Sequence, residues 1–274
     1  MPISVNDFLQ LRYTLAVADV RSENEYAAGH IPGAHNLPLL NNAERVAVGT
    51  DYKQIGRDAA IRTGLRLVGP RLEELVNAAD QLAGNRELIV HCWRGGMRSR
   101  NFCVFAAMAG VKTLQVNGGY KAYRQAAVDS FALPFPFLVI GGKTGSGKSD
   151  LLRALAAEGE QVIDLEALAH HKGSAFGALL QQPQPTTEQF QNELFETILK
   201  LDLKRPVWIE DESIAIGKIF LPEILWRRKK ESPVVRIEID KSIRIDRLVN
   251  EYGPADRGEF LQADRKSTRL NSSH

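Results

Sequence analysis

The chain has 274 residues, which is enough for two domains that each bury a hydrophobic core. Its composition, 44% apolar and 25% charged, is that of an ordinary globular protein, and a formal net charge of +2 neither demands nor excludes a nucleic-acid partner. No apolar run is long enough to cross a membrane, no signal-peptide pattern opens the chain, and two cysteines cannot form a disulfide framework. We expect a cytoplasmic monomer without membrane contacts.

The first half of the chain alternates predicted strands and helices. Buried strands are predicted at 15–20, 88–90 and 111–116, and a helix over 99–108 precedes the last of them. Strand, loop, helix and strand in this order are typical of a parallel α/β sheet.

A cysteine loop follows the strand at 88–90. A thiolate needs cationic or dipolar stabilisation at neutral pH, and this loop offers arginines, flexible glycines and the amino terminus of the following helix. We predict that Cys92 is reactive and that a tetrahedral oxyanion binds beside it, held by Arg94, Gly95, Gly96, Arg98 and Ser99. We interpret Cys103 as a buried apolar residue.

The second half begins after Pro134 and Pro136 with a predicted strand at 137–140. Further strands are predicted at 162–164, 207–209 and 234–239, and helices at 150–157 and 188–201. We place the domain boundary near residue 130, which divides the chain into domains 1–130 and 131–264.

A P-loop pattern lies between the strand at 137–140 and the helix at 150–157. Its backbone amides and lysine bind phosphate oxygens, and its serine can bind Mg²⁺. We predict a diphosphate site made by Gly142, Gly145, Ser146, Gly147, Lys148 and Ser149. The pattern does not specify what the diphosphate is attached to, and no signature for a nucleotide base is evident.

Acidic residues follow the predicted strand at 207–209, where a Walker B carboxylate belongs. Glu210, Asp211 and Glu212 are the candidates for acid or Mg²⁺ support, and an acidic turn without function is the alternative. Asp164 and Glu166 follow another strand and can face the same site, whereas the adjacent His170 and His171 point to different sides and do not favour a metal site.

Four landmarks of the first half resemble a rhodanese domain in the usual order. They are Asp19-Val20-Arg21-Ser22 with Glu25-Tyr26, Gly29-His30-Ile31-Pro32-Gly33-Ala34, the cysteine loop, and Gly118-Gly119-Tyr120-Lys121-Ala122-Tyr123. Rhodanese domains carry sulfur or selenium on the loop cysteine. Cys92 to Arg98 also has the Cys-x5-Arg spacing of phosphatases, some of which share this fold, so phosphatase chemistry stays an alternative.

A rhodanese-like domain followed by a P-loop domain resembles the bacterial tRNA 2-selenouridine synthase family. Shorter phrases agree, among them His171-Lys172-Gly173-Ser174-Ala175-Phe176-Gly177 and Trp208-Ile209-Glu210-Asp211-Glu212-Ser213. In the first phrase the family more often has arginine where this chain has Lys172. The resemblance implies an α/β fold, an N-terminal rhodanese-like parallel sheet followed by a P-loop NTPase-like domain.

The resemblance also implies a two-step reaction at the wobble 2-thiouridine of tRNA. The sulfur is geranylated from geranyl diphosphate at the P-loop, and selenium from selenophosphate then replaces the S-geranyl group at Cys92. We therefore expect tRNA, selenophosphate and geranyl diphosphate as partners and no tightly bound cofactor. The basic clusters at 57–71 and 227–230 are either solvated faces or sites for tRNA phosphates.

Two other classes of function stay open. One is a phosphatase fused to a P-loop small-molecule kinase, and the other is a nucleotide-gated sulfur-carrier module. Residues 265–274 depart from the preceding composition, and we interpret them as a non-native tail after an incomplete second domain.

Overall fold

The fold is taken from a computed structural model, which describes residues 1–174, 176–256, 258, 260–261 and 263. The chain forms two compact units, residues 1–126 and 127–274. The predicted tail at 265–274 lies outside the described residues.

The first unit is built on a five-stranded sheet in which every neighbouring pair is parallel. Its strands run in the order β1-β5-β4-β2-β3 and are β1 Pro2–Ile3, β2 Val17–Asp19, β3 His35–Asn36, β4 Leu88–His91 and β5 Thr113–Val116. Its helices are α1 Val5–Leu11, α2 Glu23–Ala28, α3 Asn42–Gln54, α4 Arg57–Val68, α5 Leu72–Ala83, α6 Met97–Met108 and α7 Gly119–Ser130, the last of which contains the division between the units.

The register of this sheet places chemistry at one edge. β4 is buried along its whole length, as expected of a central parallel strand covered on both faces. Asp19 of β2 pairs with His91 of β4, so both strands end at the same level. The residues that follow β2 and those that follow β4 therefore meet.

The second unit contains a four-stranded parallel sheet in the order β11-β6-β8-β7. Its strands are β6 Phe137–Gly142, β7 Gln161–Ile163, β8 Val207–Glu210 and β11 Val234–Ile237, and a separate antiparallel hairpin consists of β9 Ala215–Ile216 and β10 Ile219–Phe220. Its helices are α8 Lys148–Ala157, α9 Leu165–Ala169, α10 Thr187–Ile198, α11 Glu223–Lys230 and α12 Lys241–Tyr252. Ile140 of β6 pairs with Glu210 of β8, which puts the P-loop beside the acidic strand end.

The α/β class and the parallel sheets confirm the expectation from the sequence. Helix α10, which lies within one residue of the start of the helix predicted at 188–201, buries Phe190 and Phe195 as core residues. The hairpin of α3 and α4 and the helix α12 were not predicted, and both lie next to a candidate site.

Candidate active sites

Cys92 follows β4 and precedes α6, so its backbone makes the turn from strand to helix. The side chain is buried, and its Sγ lies 3.2 Å from the Ser99 hydroxyl. Gly95 has φ +65°, and a Cβ there would collide with the Val116 carbonyl oxygen. A Cβ at Gly119 would likewise collide with the Cys92 carbonyl oxygen, so this loop can close only with glycine at both positions.

Neighbouring elements fix the shape of the cysteine loop. The Gln115 side-chain amide donates to the Gly95 carbonyl at 2.6 Å and to the Ser99 hydroxyl at 3.1 Å. The Tyr120 amide donates to the Cys92 carbonyl at 2.9 Å. The carbonyls on the outer side of the turn are thus satisfied, which leaves a rigid loop around the thiol.

The two arginines of the loop differ in their surroundings. Arg94 is exposed, whereas Arg98 donates to both carboxylate oxygens of Glu25, at 2.6 and 3.1 Å. Arg45 of α3 also contacts Glu25, at 3.0 Å. Burial alone would raise the pKa of Glu25, but the hydrogen bonds and charge of Arg98 outweigh it and lower that pKa to about 2. The predicted clamp by Arg98 is therefore shared with a carboxylate.

A buried ion pair lies at the strand ends next to the cysteine loop. Arg21 donates to Asp19 at 2.6 Å, and its guanidinium lies 3.9 Å from the centre of the Tyr120 ring. The His91 ring is fully buried with its Nε2 3.8 Å from Asp19, and burial lowers the pKa of His91 in spite of that carboxylate. Asp19 and Arg21 belong to the first rhodanese landmark, and His91 directly precedes Cys92. These three residues fix the ends of β2 and β4.

The P-loop lies between β6 and α8, as predicted from its pattern. Gly147 has φ +86° and begins the helix, and Ser146 is buried in the turn. The Lys148 ammonium donates back to the Gly142 carbonyl at 3.3 Å, within the loop itself. Gly142, Gly145, Ser146, Gly147, Lys148 and Ser149 thus form one continuous turn at the end of the strand.

The structure separates the acidic candidates that the sequence left equivalent. Glu210 is fully buried and Glu212 nearly so, whereas Asp211 is exposed and faces Lys229 and Lys230 at 3.7 and 3.8 Å. The Ser149 hydroxyl donates to Glu166 at 2.9 Å and contacts Glu210 at 3.4 Å. Glu166, which follows β7, is therefore part of this site.

These carboxyl groups lie in an acidic, poorly solvated environment. Burial, then the charges of Asp164 and Glu166, raises the pKa of Glu210 to about 8. Burial, then the charge of Glu166, raises the pKa of Glu212 to about 7. Such a cluster favours a bound cation or a shared proton at neutral pH.

Helix α12 supplies cations that the sequence reading missed. It packs on the P-loop so closely that a Cβ at Gly145 would meet Arg244 and Leu248, and one at Gly147 would meet the Arg247 guanidinium. Its far end is held by a 2.6 Å ion pair between Lys172 and Glu251 and by a 3.3 Å hydrogen bond between Ser174 and Tyr252. The signal was an apolar spacing, at 245, 248, 249 and 252, typical of a helix.

One member of the basic cluster at 227–230 has a structural role that the sequence reading did not foresee. Lys229 is buried and donates to the main-chain oxygens of Glu210, at 3.1 Å, and of Glu212. Burial lowers its pKa to about 8 although Asp211 and Glu212 oppose that shift. Lys229 therefore holds the acidic strand end and is not available for tRNA phosphates.

Comparison with known proteins places both units in families. Residues 4–126 match the rhodanese-like domain family, and residues 135–273 match the tRNA 2-selenouridine synthase AAA domain family. The chain belongs to the tRNA 2-selenouridine synthase family.

Curated relatives agree with this membership. A protein named tRNA 2-selenouridine synthase from Nitrosomonas europaea is 38% identical over 85% of this chain and 62% of its own length. The protein of that name from Nitrosomonas eutropha is 37% identical over 93% of this chain and 68% of its own length. This chain thus spans about two thirds of the length of these synthases. The solved structure of an N-terminal domain of a protein from Clostridium difficile 630 is 39% identical in sequence to this chain. The match covers 46% of this chain and 97% of that domain, with a TM-score of 0.43.

Two absences apply to the described part of this synthase-family chain. No group of three or more His, Cys, Asp or Glu side chains there is arranged to hold a metal ion. No helix there combines the length and apolar character needed to cross a bilayer.

Proposed function

We propose that this protein converts wobble 2-thiouridine of tRNA to 2-selenouridine through an S-geranyl intermediate. The observation that carries the proposal is that one chain of the tRNA 2-selenouridine synthase family holds two loops of a kind that binds anions, a thiol loop after β4 and a P-loop before α8. Two successive steps on one nucleoside, one with a diphosphate leaving group and one with a tetrahedral selenium donor, account for both sites.

Geranylation is assigned to the P-loop. Lys148, the loop amides and Arg247 of α12 would stabilise the negative charge that develops on the diphosphate as the allylic carbon transfers to sulfur. Mg²⁺ usually binds through one or two protein ligands together with substrate phosphates, and the Ser149 hydroxyl beside the Glu166 and Glu210 carboxylates fits that pattern. When bound, the ion would neutralise charge on the leaving diphosphate.

Selenation is assigned to the cysteine loop. Selenophosphate would bind at the amides of Gly95 and Gly96 and near Arg94, with Cys92 as nucleophile. The Cys92 thiolate would attack the base carbon, the bond from that carbon to sulfur would break, and the geranyl group would leave with the sulfur as a thiol. The selenium of selenophosphate would then form the new bond to that carbon and displace the Cys92 sulfur, which returns as a thiolate. Hydrolysis of the selenium–phosphorus bond then releases phosphate.

The pairing of Arg98 favours this transferase over the phosphatase alternative. A Cys-x5-Arg loop needs its arginine donors for the phosphate, but Arg98 gives two of them to Glu25. Arg94 of the same loop is exposed.

The test is direct. We expect the protein to convert thiolated tRNA with geranyl diphosphate into a strongly hydrophobic nucleoside, and to form selenouridine once selenophosphate is added, both detected by mass spectrometry of digested tRNA. Lys148→Ala should impair the first product, because the point charge on the diphosphate is lost. Hydrolysis of an aryl phosphate without any gain in nucleoside mass would contradict the proposal and favour the phosphatase.

A further inference from the structure

An apolar cavity of about 780 Å³ lies beside the cysteine loop, within the first unit. Its walls are helices α3 and α4, the segment that precedes α3, and the first turns of α6. Its apolar lining is given by Leu39, Val48, Ile61, Leu65, Met97 and Phe105. The volume is in the range of cavities that bind small molecules, and far exceeds what a phosphate or selenophosphate ion needs.

The helices that form this cavity carry several exposed apolar side chains. Val46 is 61% exposed and Leu65 is 57% exposed, and Ile61 is also exposed. No residue of α3 is fully buried, although α4 packs along it. Side chains of this kind pointing into a common cleft mark a binding site for an apolar group.

The cavity is polar where it meets the reactive loop. Arg94 and Arg98 line it, and Arg45 reaches it from α3. Glu25 neutralises part of this charge through its ion pairs with Arg45 and Arg98. An apolar body with a cationic end fits a ligand that has a hydrocarbon chain on one side and a phosphate-bearing group on the other.

We propose that this cavity binds the geranyl chain of the S-geranyl nucleoside during selenation. The inference rests on the proposed function, and it assigns the chain to the unit that holds Cys92, not to the P-loop unit. With the chain between α3 and α4, the carbon that carries the S-geranyl group lies at the mouth of the cavity, next to the cysteine loop. The same cavity keeps the chain in place when it leaves with the sulfur.

Binding can be measured without turnover. S-geranyl-2-thiouridine 5′-monophosphate should bind the full chain roughly a hundredfold more tightly than the S-methyl analogue, because only the geranyl chain can fill the cavity. Leu65→Glu places a charge in the apolar wall and should remove most of that difference while leaving the S-methyl affinity unchanged. Leu65 is exposed and glutamate is a good helix former, so the variant should fold.

Val104→Glu is the matched control. Val104 is 52% exposed in the middle of α6 and does not line this cavity. Val104→Glu should bind both analogues as the unchanged protein does. Both variants should also have the same thermal unfolding temperature as the unchanged protein.

The two reaction steps distinguish the cavity from the overall function. We expect Leu65→Glu to keep geranylation and to lose selenation of geranylated tRNA by at least about tenfold, so that the geranylated nucleoside accumulates. Equal affinities for the two analogues would overturn the proposal, as would a Leu65→Glu defect no larger than that of Val104→Glu. Loss of geranylation with intact selenation of pre-geranylated tRNA would also overturn it, because the cavity would then serve the donor. If the unchanged protein modifies no tRNA, the proposed function fails, whereas the binding comparison still decides whether the cavity takes the chain.

Discussion

The two candidate sites differ in how their central residues are stabilised. Cys92 lies in a turn whose carbonyls accept hydrogen bonds from Gln115 and Tyr120, so the turn that carries the thiol is held in place by its neighbours. The P-loop depends instead on charges brought by other elements, among them Arg247 of α12. Single substitutions should therefore separate the two reactions.

Replacement of Cys92 by serine should stop selenation and spare geranylation. A hydroxyl can keep the contact with Ser99, but it is a far weaker nucleophile than a thiolate. The measurement is nucleoside mass spectrometry after each step, with Cys103→Ser as the control for loss of a thiol. Loss of both products in Cys92→Ser would show that the cysteine loop also takes part in geranylation.

Replacement of Arg247 by alanine should weaken geranyl diphosphate binding about tenfold or more, since a hydrogen bond to a charged group contributes about 1.5–3 kcal/mol. The guanidinium lies against Gly147 at the start of α8, where the phosphates bind in a P-loop. Titration calorimetry with geranyl diphosphate measures this effect. Arg227→Ala, which removes an exposed arginine paired with Glu223, is the control and should not change the affinity.

Glu166 and Glu210, at the ends of β7 and β8, form an acidic pair whose protonation should affect the free energy of unfolding. The pKa of Glu210 is about 8 in the folded protein against an ordinary value of 4.5. Between these values the folded state holds a proton that the unfolded state has lost, so stability falls as pH rises from about 4.5 to about 8.

Glu210→Gln should flatten this pH dependence, because glutamine resembles the protonated acid and cannot ionise. We expect the variant to match the unchanged protein near pH 4.5 and to exceed it in stability near pH 8 in urea unfolding. Asp211→Asn, at an exposed neighbour, should leave the slope unchanged. An equal slope in Glu210→Gln would mean that Glu210 is ionised in the folded state.

The sequence predicted those elements that are marked by an apolar run or by a motif within the element itself. The apolar runs at 88–90 and 137–140 are β4 and β6, and the two anion loops follow them as expected. Helices α3 and α4 were not predicted, because few of their residues are buried and their apolar residues line a cavity instead. The sequence of this segment therefore looks like a charged stretch. Glu25 and Arg247 reach the sites through tertiary packing, which spacing along the chain does not show.

Each unit of the molecule has its own parallel sheet and its own candidate anion site. The net charge is only +2, so under the proposed function the attraction of tRNA would come from local clusters such as the exposed Arg57, Arg62 and Arg66 of α4. Binding through phosphate contacts weakens steeply with salt and is reversible. If the proposed function holds, geranylated tRNA should therefore be able to leave one molecule and be taken up by another.

A mixture of Cys92→Ser and Lys148→Ala should consequently form more selenouridine than either variant does alone. Cys92→Ser would geranylate the tRNA, and Lys148→Ala would replace the S-geranyl group after the tRNA has exchanged. Selenouridine should appear after a lag that shortens as salt is raised from low to moderate concentration, since exchange becomes faster. Pre-geranylated tRNA given to Lys148→Ala alone is the control and should react without the lag. A mixture that stays inactive while this control succeeds would show that the intermediate passes between the sites of one molecule without release.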